Sequence, residues 1–177
     1  SGTAHTNADT NTGTAFSANP ANALIDVTPV NDAPTNPNNL DLTAIPEDVL
    51  SASNTGTLVS SIVTSSGATD IDSSPLGIAI TARDNTNGTW QFSIDNGMNW
   101  TDIGIVSNTS AFLLNETDKV RFVPNPDFAG NDQPLTFKIW DMSSGTAHTN
   151  ADTNTGTAFS GNAANALIDV TPVNDAP

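Results

Sequence analysis

The sequence predicts an all-β protein, an antiparallel β-sandwich, on three observations. Apolar and polar residues alternate at period two in several short runs. Turn signals such as Asp95-Asn96-Gly97 punctuate those runs. Trp90, Trp100, Trp140, seven Phe and many Ile, Val and Leu provide material for one shared interior between about residues 40 and 140. No stretch repeats apolar residues at helical spacing over an adequate length, so no helix is expected.

"GIAITARD" puts Ile78 and Ile80 on one face, and "GTWQFSID" does the same for Trp90, Phe92 and Ile94. Asn87-Gly88 reads as a hairpin turn between these two runs, and Asp95-Asn96-Gly97 as the turn before "MNWTDIGIV". "KVRFVP" sets Val120 and Phe122 opposite Arg121 and Val123. "PLTFKIWD" aligns Leu135, Phe137 and Ile139. "NALIDVTPV" is the last strand, with Ala166, Ile168 and Val170 on one side. Between these, Ser144 to Phe159 is Thr-rich and aperiodic, a long loop with regular pairing only near its end. The Trp residues suit core packing; Trp100, just past a turn, is the one placed to be exposed and to stack on a sugar ring.

The chain repeats itself. Residues 1 to 34 match residues 144 to 177 at an offset of 143, with two differences, Ala18 against Gly161 and Pro20 against Ala163. Solenoid periods run about 20 to 50 residues, whereas this offset is domain-sized. The expected organisation is one complete unit, 35 to 177, preceded by the C-terminal piece of a previous unit and its linker, 1 to 34. Two copies of the last strand, 22 to 30 and 165 to 173, then compete for one place. The upstream copy is expected to be frayed, or to complete a neighbouring molecule's edge by strand exchange.

Composition narrows the partners. Four Lys and Arg against 19 Asp and Glu give a net charge of −15. Phosphate recognition needs clustered cations, so nucleic acid and anionic membrane surfaces are not expected partners. No apolar run is long enough to predict membrane insertion. There is no Cys, hence no disulfide, thiolate ligand or thiol nucleophile. Acidity suits hard cations that prefer oxygen ligands, and a metal is one staple open to a Cys-free domain.

The acids fall in a suggestive order. Asn31-Asp32-Ala33-Pro34 ends the upstream strand copy, because Pro has no N–H to pair and stiffens entry to the next domain. It reads either as a plain turn or as oxygen ligands where two domains meet. Pro46-Glu47-Asp48 places two carboxylates after the first strand. Asp70 and Asp72, two apart in an extended segment, point the same way with Cα atoms roughly 7 Å apart. Asp141 ends the "FKIWD" strand. Carboxylates so gathered repel one another unless a cation lies among them.

These pieces together resemble the Ig-like and cadherin-like tandem repeats of giant bacterial RTX-type adhesins. The resemblance rests on "VTPVNDAP" at the junctions, "PED" near the start, "ATDIDS" at Ala68 to Ser73, and "VRFVPNPDFAG…LTFKIWD" at Val120 to Asp141. It implies a Greek-key sandwich exported by type 1 secretion, extracellular and attached to the cell surface. It also implies Ca²⁺ between successive domains. Asp32 would join Asp70 and Asp72 upstream; Glu47, Asp141, Asn174 and Asp175 would act downstream, with Asn31 and Asp48 as further oxygen donors. Pro29 and Pro172 stand where a cadherin linker carries its first Asp, and Ala33 and Ala176 replace its last Asn. Fewer ligands imply fewer or weaker ions. The G-G-x-G-x-D nonapeptide is absent, so no β-roll calcium site is expected.

The implied function is a non-enzymatic, calcium-stiffened extender that partners neighbouring repeats of its own chain and projects an adhesive tip for adhesion and biofilm formation. The alternative is a module binding a glycan or host-surface ligand through Trp100 and the loops around 85 to 110. His148 lies in a Thr-rich loop and reads as solvated. "GTAFS" lacks the G-x-S-x-G pattern of a nucleophile elbow.

Overall fold

Alternating apolar residues build the centre of the fold. The computed structural model describes residues 21–72 and 75–174. The chain divides into two units between Val30 and Asn31, and the described strands and helix all lie in the second. The linker residues 31–34 group with the body. In the first unit the described residues, 21–30, carry no regular secondary structure.

The body is mostly strand, in two sheets. The larger holds β1 (Leu40–Asp41), β2 (Ile45–Pro46), β4 (Gly77–Arg83), β7 (Ala111–Leu114), β9 (Gly130–Trp140), β10 (Asn150–Ala151) and β11 (Ala164–Thr171). The smaller holds β3 (Thr57–Leu58), β5 (Gly88–Ser93), β6 (Thr101–Asp102) and β8 (Lys119–Pro124). The larger sheet runs β1-β11-β9-β4-β7-β10, with β2 also on β11; the smaller runs β3-β8-β5-β6. β1 and β2 pair with β11 in parallel, so the larger sheet is mixed rather than purely antiparallel.

The expected inward faces are largely the core. Ile78, Ile80, Trp90, Val120, Phe122, Leu135, Phe137, Ile139 and Ala166 are fully buried, and Ile168 and Val170 nearly so. Trp90 and Phe122 meet at 5.3 Å between ring centroids, tilted by 56°. Trp90 Nε1 has no hydrogen-bond partner among the described residues, a cost of about 1–3 kcal/mol that the packing must offset. Ile94 departs from the expected face and is exposed, because β5 ends at Ser93 and the chain turns.

That turn is wound by its own side chains. Ser93 Oγ donates to Asp95 Oδ1 and accepts from Gly97 N, both at 2.8 Å. Asp95 also accepts from Asn99 N at 2.8 Å and Asn99 Nδ2 at 2.6 Å. Asn96 and Gly97 take the expected positive φ, and the turn joins the antiparallel pair β5–β6. Asn87-Gly88, by contrast, joins strands of different sheets and closes no hairpin. β4 and β5 share no edge, so the link is a crossing between layers.

One expectation fails outright: there is a helix, α1 (Val59–Ser66). It buries Val59, Ile62, Val63 and Ser66, the i, i+3, i+4, i+7 face of an eight-residue element. Two turns are too few for a periodic signal, and its β-branched residues favour strands by propensity. The β7–β8 turn caps it: Val59 N donates to Asp118 O and Ser60 N to Glu116 O. Gly67, at φ 72°, closes its C-terminus.

A second apolar cluster lies away from the main core: Ala79, Ala111, Leu113, Trp140, Ala158 and Phe159. The Thr-rich segment after β9 supplies its cover. Trp140 Nε1 donates to Ser144 O at 2.7 Å, Trp140 bridges to Phe159, and β10 pairs with β7. Regular pairing thus occurs in the middle of that segment as well as near its end.

Candidate metal centre

β9 and β11 run antiparallel, with Ala164 opposite Phe137 and Val170 opposite Gly130. The body therefore has a leading pole, where β9 ends and β11 begins, and a trailing pole at the other end. The sequence-predicted acids divide between them.

At the leading pole Asp141 comes directly after the last residue of β9 and is buried, 3 % exposed. Its Oδ1 accepts from Ser143 N at 2.7 Å and its Oδ2 from Asn31 Nδ2 at 2.8 Å. Asn31 Nδ2 also reaches Thr157 O at 3.2 Å and Thr157 Oγ1 at 3.1 Å. Asp32 N donates to Asp72 Oδ2, and Asp72 N to Asp70 Oδ1, each at 2.7 Å. Thr35 N then donates to Thr69 O at 2.8 Å, and Thr69 N to Thr35 Oγ1 at 2.7 Å. The linker 31–35 is thus strung between the 69–72 turn and the loop after β9, tying Asp32, Asp70, Asp72 and Asp141 into one network.

The downstream grouping expected for Asp141 is therefore corrected. It sits with Asn31, at the end of β9, because β9 carries its C-terminus to the pole where β11 starts. At the trailing pole Glu47 N donates to Thr171 O at 3.0 Å, and Glu47 Oε1 accepts from Val173 N at 2.6 Å. Asp48 and Asn174 are exposed. Asp175 lies outside the described residues. Glu47 and the residues leading to Asn174 thus share one end.

The positive charges are elsewhere. Arg83 Nε donates to Gly104 O, Lys119 Nζ to Asn96 O, Lys138 Nζ to Thr153 O, and Arg121 to Gln91, Ser51 and Asn54. The Asp70, Asp72 and Asp141 carboxylates accept from N–H donors. Their chemistry, hard oxygens with acceptor capacity left over, suits a hard cation. Their geometry is looser: among the described residues no three Asp, Glu or His side chains converge as a ready metal cage.

Two further residues stand apart from expectation. His148, read as solvated, has Nε2 at 2.9 Å from Oδ2 of buried Asp118. Asp118 Oδ2 also accepts from Asn115 N at 2.8 Å, and His148 N donates to Leu113 O at 2.8 Å. The pair clips the loop after β9 to the β7–β8 turn. Only the single loop His hinted at it; nothing local marks Asp118 as its partner. His5, the same position in the upstream copy, lies outside the described residues. Trp100 is half-buried, with the Arg121 guanidinium 4.2 Å over its ring and Nε1 donating to Gly97 O at 3.1 Å. A ring engaged in this way loses one face as a sugar platform.

Comparison with protein-family models, with curated proteins and with solved structures gives no match.

Proposed function

We propose that this chain is a non-enzymatic, calcium-stiffened extender unit of a secreted surface adhesin, read as an Ig-like, cadherin-like Greek-key sandwich. One observation carries the reading: a buried Asp141 and the Asp70-x-Asp72 pair are drawn to one linker with no Lys or Arg among them. A buried carboxylate without a paired cation is costly, and a hard divalent ion relieves it.

The 143-residue offset makes the two poles halves of one junction. Asn174 and Asp175 are to a following unit what Asn31 and Asp32 are to this one. The body before a junction holds the end of its strand through Glu47; the body after it takes the Asn-Asp pair at Asp72 and Asp141. A cation at that seam, with Asp32, Asp70, Asp72 and Asp141 as its oxygen donors, would neutralise repulsion and remove hinge freedom. Extracellular modules hold Ca²⁺ with a Kd of roughly 10⁻⁴ to 10⁻³ M, enough to be filled outside a cell.

Small-angle scattering of a two-repeat chain tests this. The maximum dimension should be longer in millimolar Ca²⁺ and shorter after chelation. An identical profile in both conditions would defeat the stiffening role.

A further inference from the structure

The two copies of the last strand meet different fates. In β11, Ile168 is 5 % exposed and Val170 2 %; their counterparts Ile25 and Val27 are 88 % and 85 % exposed. Nine consecutive residues, 22 to 30 and 165 to 173, are identical. Whatever contacts β11 makes, residues 22–30 can make too. β11 is also not an outer strand. It is bonded to β9 along one edge and to β1 and β2 along the other.

We propose that the strand position between β9 and the β1–β2 edge is an exchangeable binding site, whose ligand is the 21–30 segment of a second copy of this chain. The occupant is specified by identity: Ala23, Ile25 and Val27 fall where Ala166, Ile168 and Val170 now pack.

Chain reach dictates that the segment enters another molecule and not its own. In its own body Val27 would stand opposite Gly130, as Val170 does. Four residues later Asn31 is bonded to Asp141, at the far end of β9. Four residues span at most roughly 14 Å. The eleven steps from Gly130 to Asp141 cover roughly 36 Å of strand. In trans the constraint disappears: the donor's body succeeds the acceptor's as consecutive units of an array would. The contact joins unlike surfaces, so successive copies add head to tail. It stands independently of any cation.

Cross-linking reads the site directly, since the chain has no Cys. Thr136 is opposite Asn165, whose upstream counterpart is Asn22. The acceptor is the full chain with Thr136→Cys, and with Ile25→Asp, Val27→Asp, Ile168→Asp and Val170→Asp to spoil both strands. The donor is the full chain with Asn22→Cys. In chelator, oxidation should give a disulfide heterodimer, at least tenfold above that from a donor also carrying Ile25→Asp and Val27→Asp. Equal yields from both donors would overturn the proposal. Should the acceptor fail to fold, the chain carrying Thr136→Cys alone is refolded with a peptide of residues 21–30 bearing Asn22→Cys. Tethered segments act at effective concentrations of order millimolar, so about 1 mM peptide should occupy about half the sites. An adduct no greater than with the Ile25→Asp, Val27→Asp peptide would exclude the site.

Discussion

Residues 22–30 and 165–173 are one sequence in two settings, and the setting alone decides their structure. Downstream, the period-two pattern becomes β11, because β9 offers hydrogen bonds on one side, β1 and β2 on the other, and a core receives Ile168 and Val170. Upstream, the same residues form no regular element, and Leu24, Ile25, Val27 and Val30 are exposed. A strand propensity is a readiness to fit a half-buried pleated surface. Without that surface, alternation alone orders nothing.

The largest test of that contrast is one substitution made twice. Ile168→Ala should cost about 2–4 kcal/mol, a lost side chain plus a cavity. Ile25→Ala should stay within about 0.5 kcal/mol, as for an exposed site. Urea denaturation of the two variants measures the difference; equal losses would mean that the upstream copy is also packed.

The linker that follows the upstream copy carries the next effect. If Ca²⁺ binds the network around Asn31 with a Kd near 1 mM, 10 mM ion should stabilise the body by about 1.4 kcal/mol. Asp72→Asn combined with Asp141→Asn should remove most of that gain. Melting curves with and without Ca²⁺ read it, and a gain retained by the double variant would place the ion elsewhere.

The loop ahead of β11 gives an effect of similar size. His148→Ala breaks the bond to Asp118 and leaves that carboxylate buried, at a cost of about 1–2 kcal/mol. Hydrogen exchange should quicken at the His148 and Leu113 amides, which bond into that loop. Unchanged protection there would show that the clip holds nothing.

The smallest effect comes from a region that orders itself. Asp95 is held down to a pKa of about 2 by the Asn99 N–H first, then by the Asn99 amide and the Ser93 hydroxyl. Its folded pKa lies below its unfolded one, near 3.8. The stabilisation is therefore complete above about pH 4 and disappears as pH falls from there towards 2. Asp84, lowered by the Thr86 hydroxyl and N–H, acts in the same direction. The stability gap between the protein and Asp95→Asn should close over that window in acid titrations. A gap independent of pH would remove Asp95's charge from the account.

Legibility in the sequence obeys the same division. β4, β8, β9 and β11 were readable because each carries enough alternating residues to declare a face. β1, β2, β3, β6 and β10 are two residues each and exist only through their partners. α1 was hidden by its length. At the candidate site, Asn31-Asp32 and Asp70-x-Asp72 do come together, but through a turn in which Asp72 N donates to Asp70 Oδ1 and not through the expected extended segment. Asp141 went to the wrong end, because a residue that closes a strand does not say which way the strand runs. Asp118 and His148, 30 residues apart, left no signal that they meet.

By itself the sequence determined the duplication, the acidic balance, the inward faces of the long strands and the self-wound turn at Ser93–Asn99. Each depends on neighbours along the chain or on simple counts. Which copy of the last strand is a strand, that its β1 and β2 partners run parallel, and that Asp141 faces Asn31 are set by the assembled fold. Those outcomes depend on groups far apart in sequence, whose meeting is set by the direction and order of strands in a sheet.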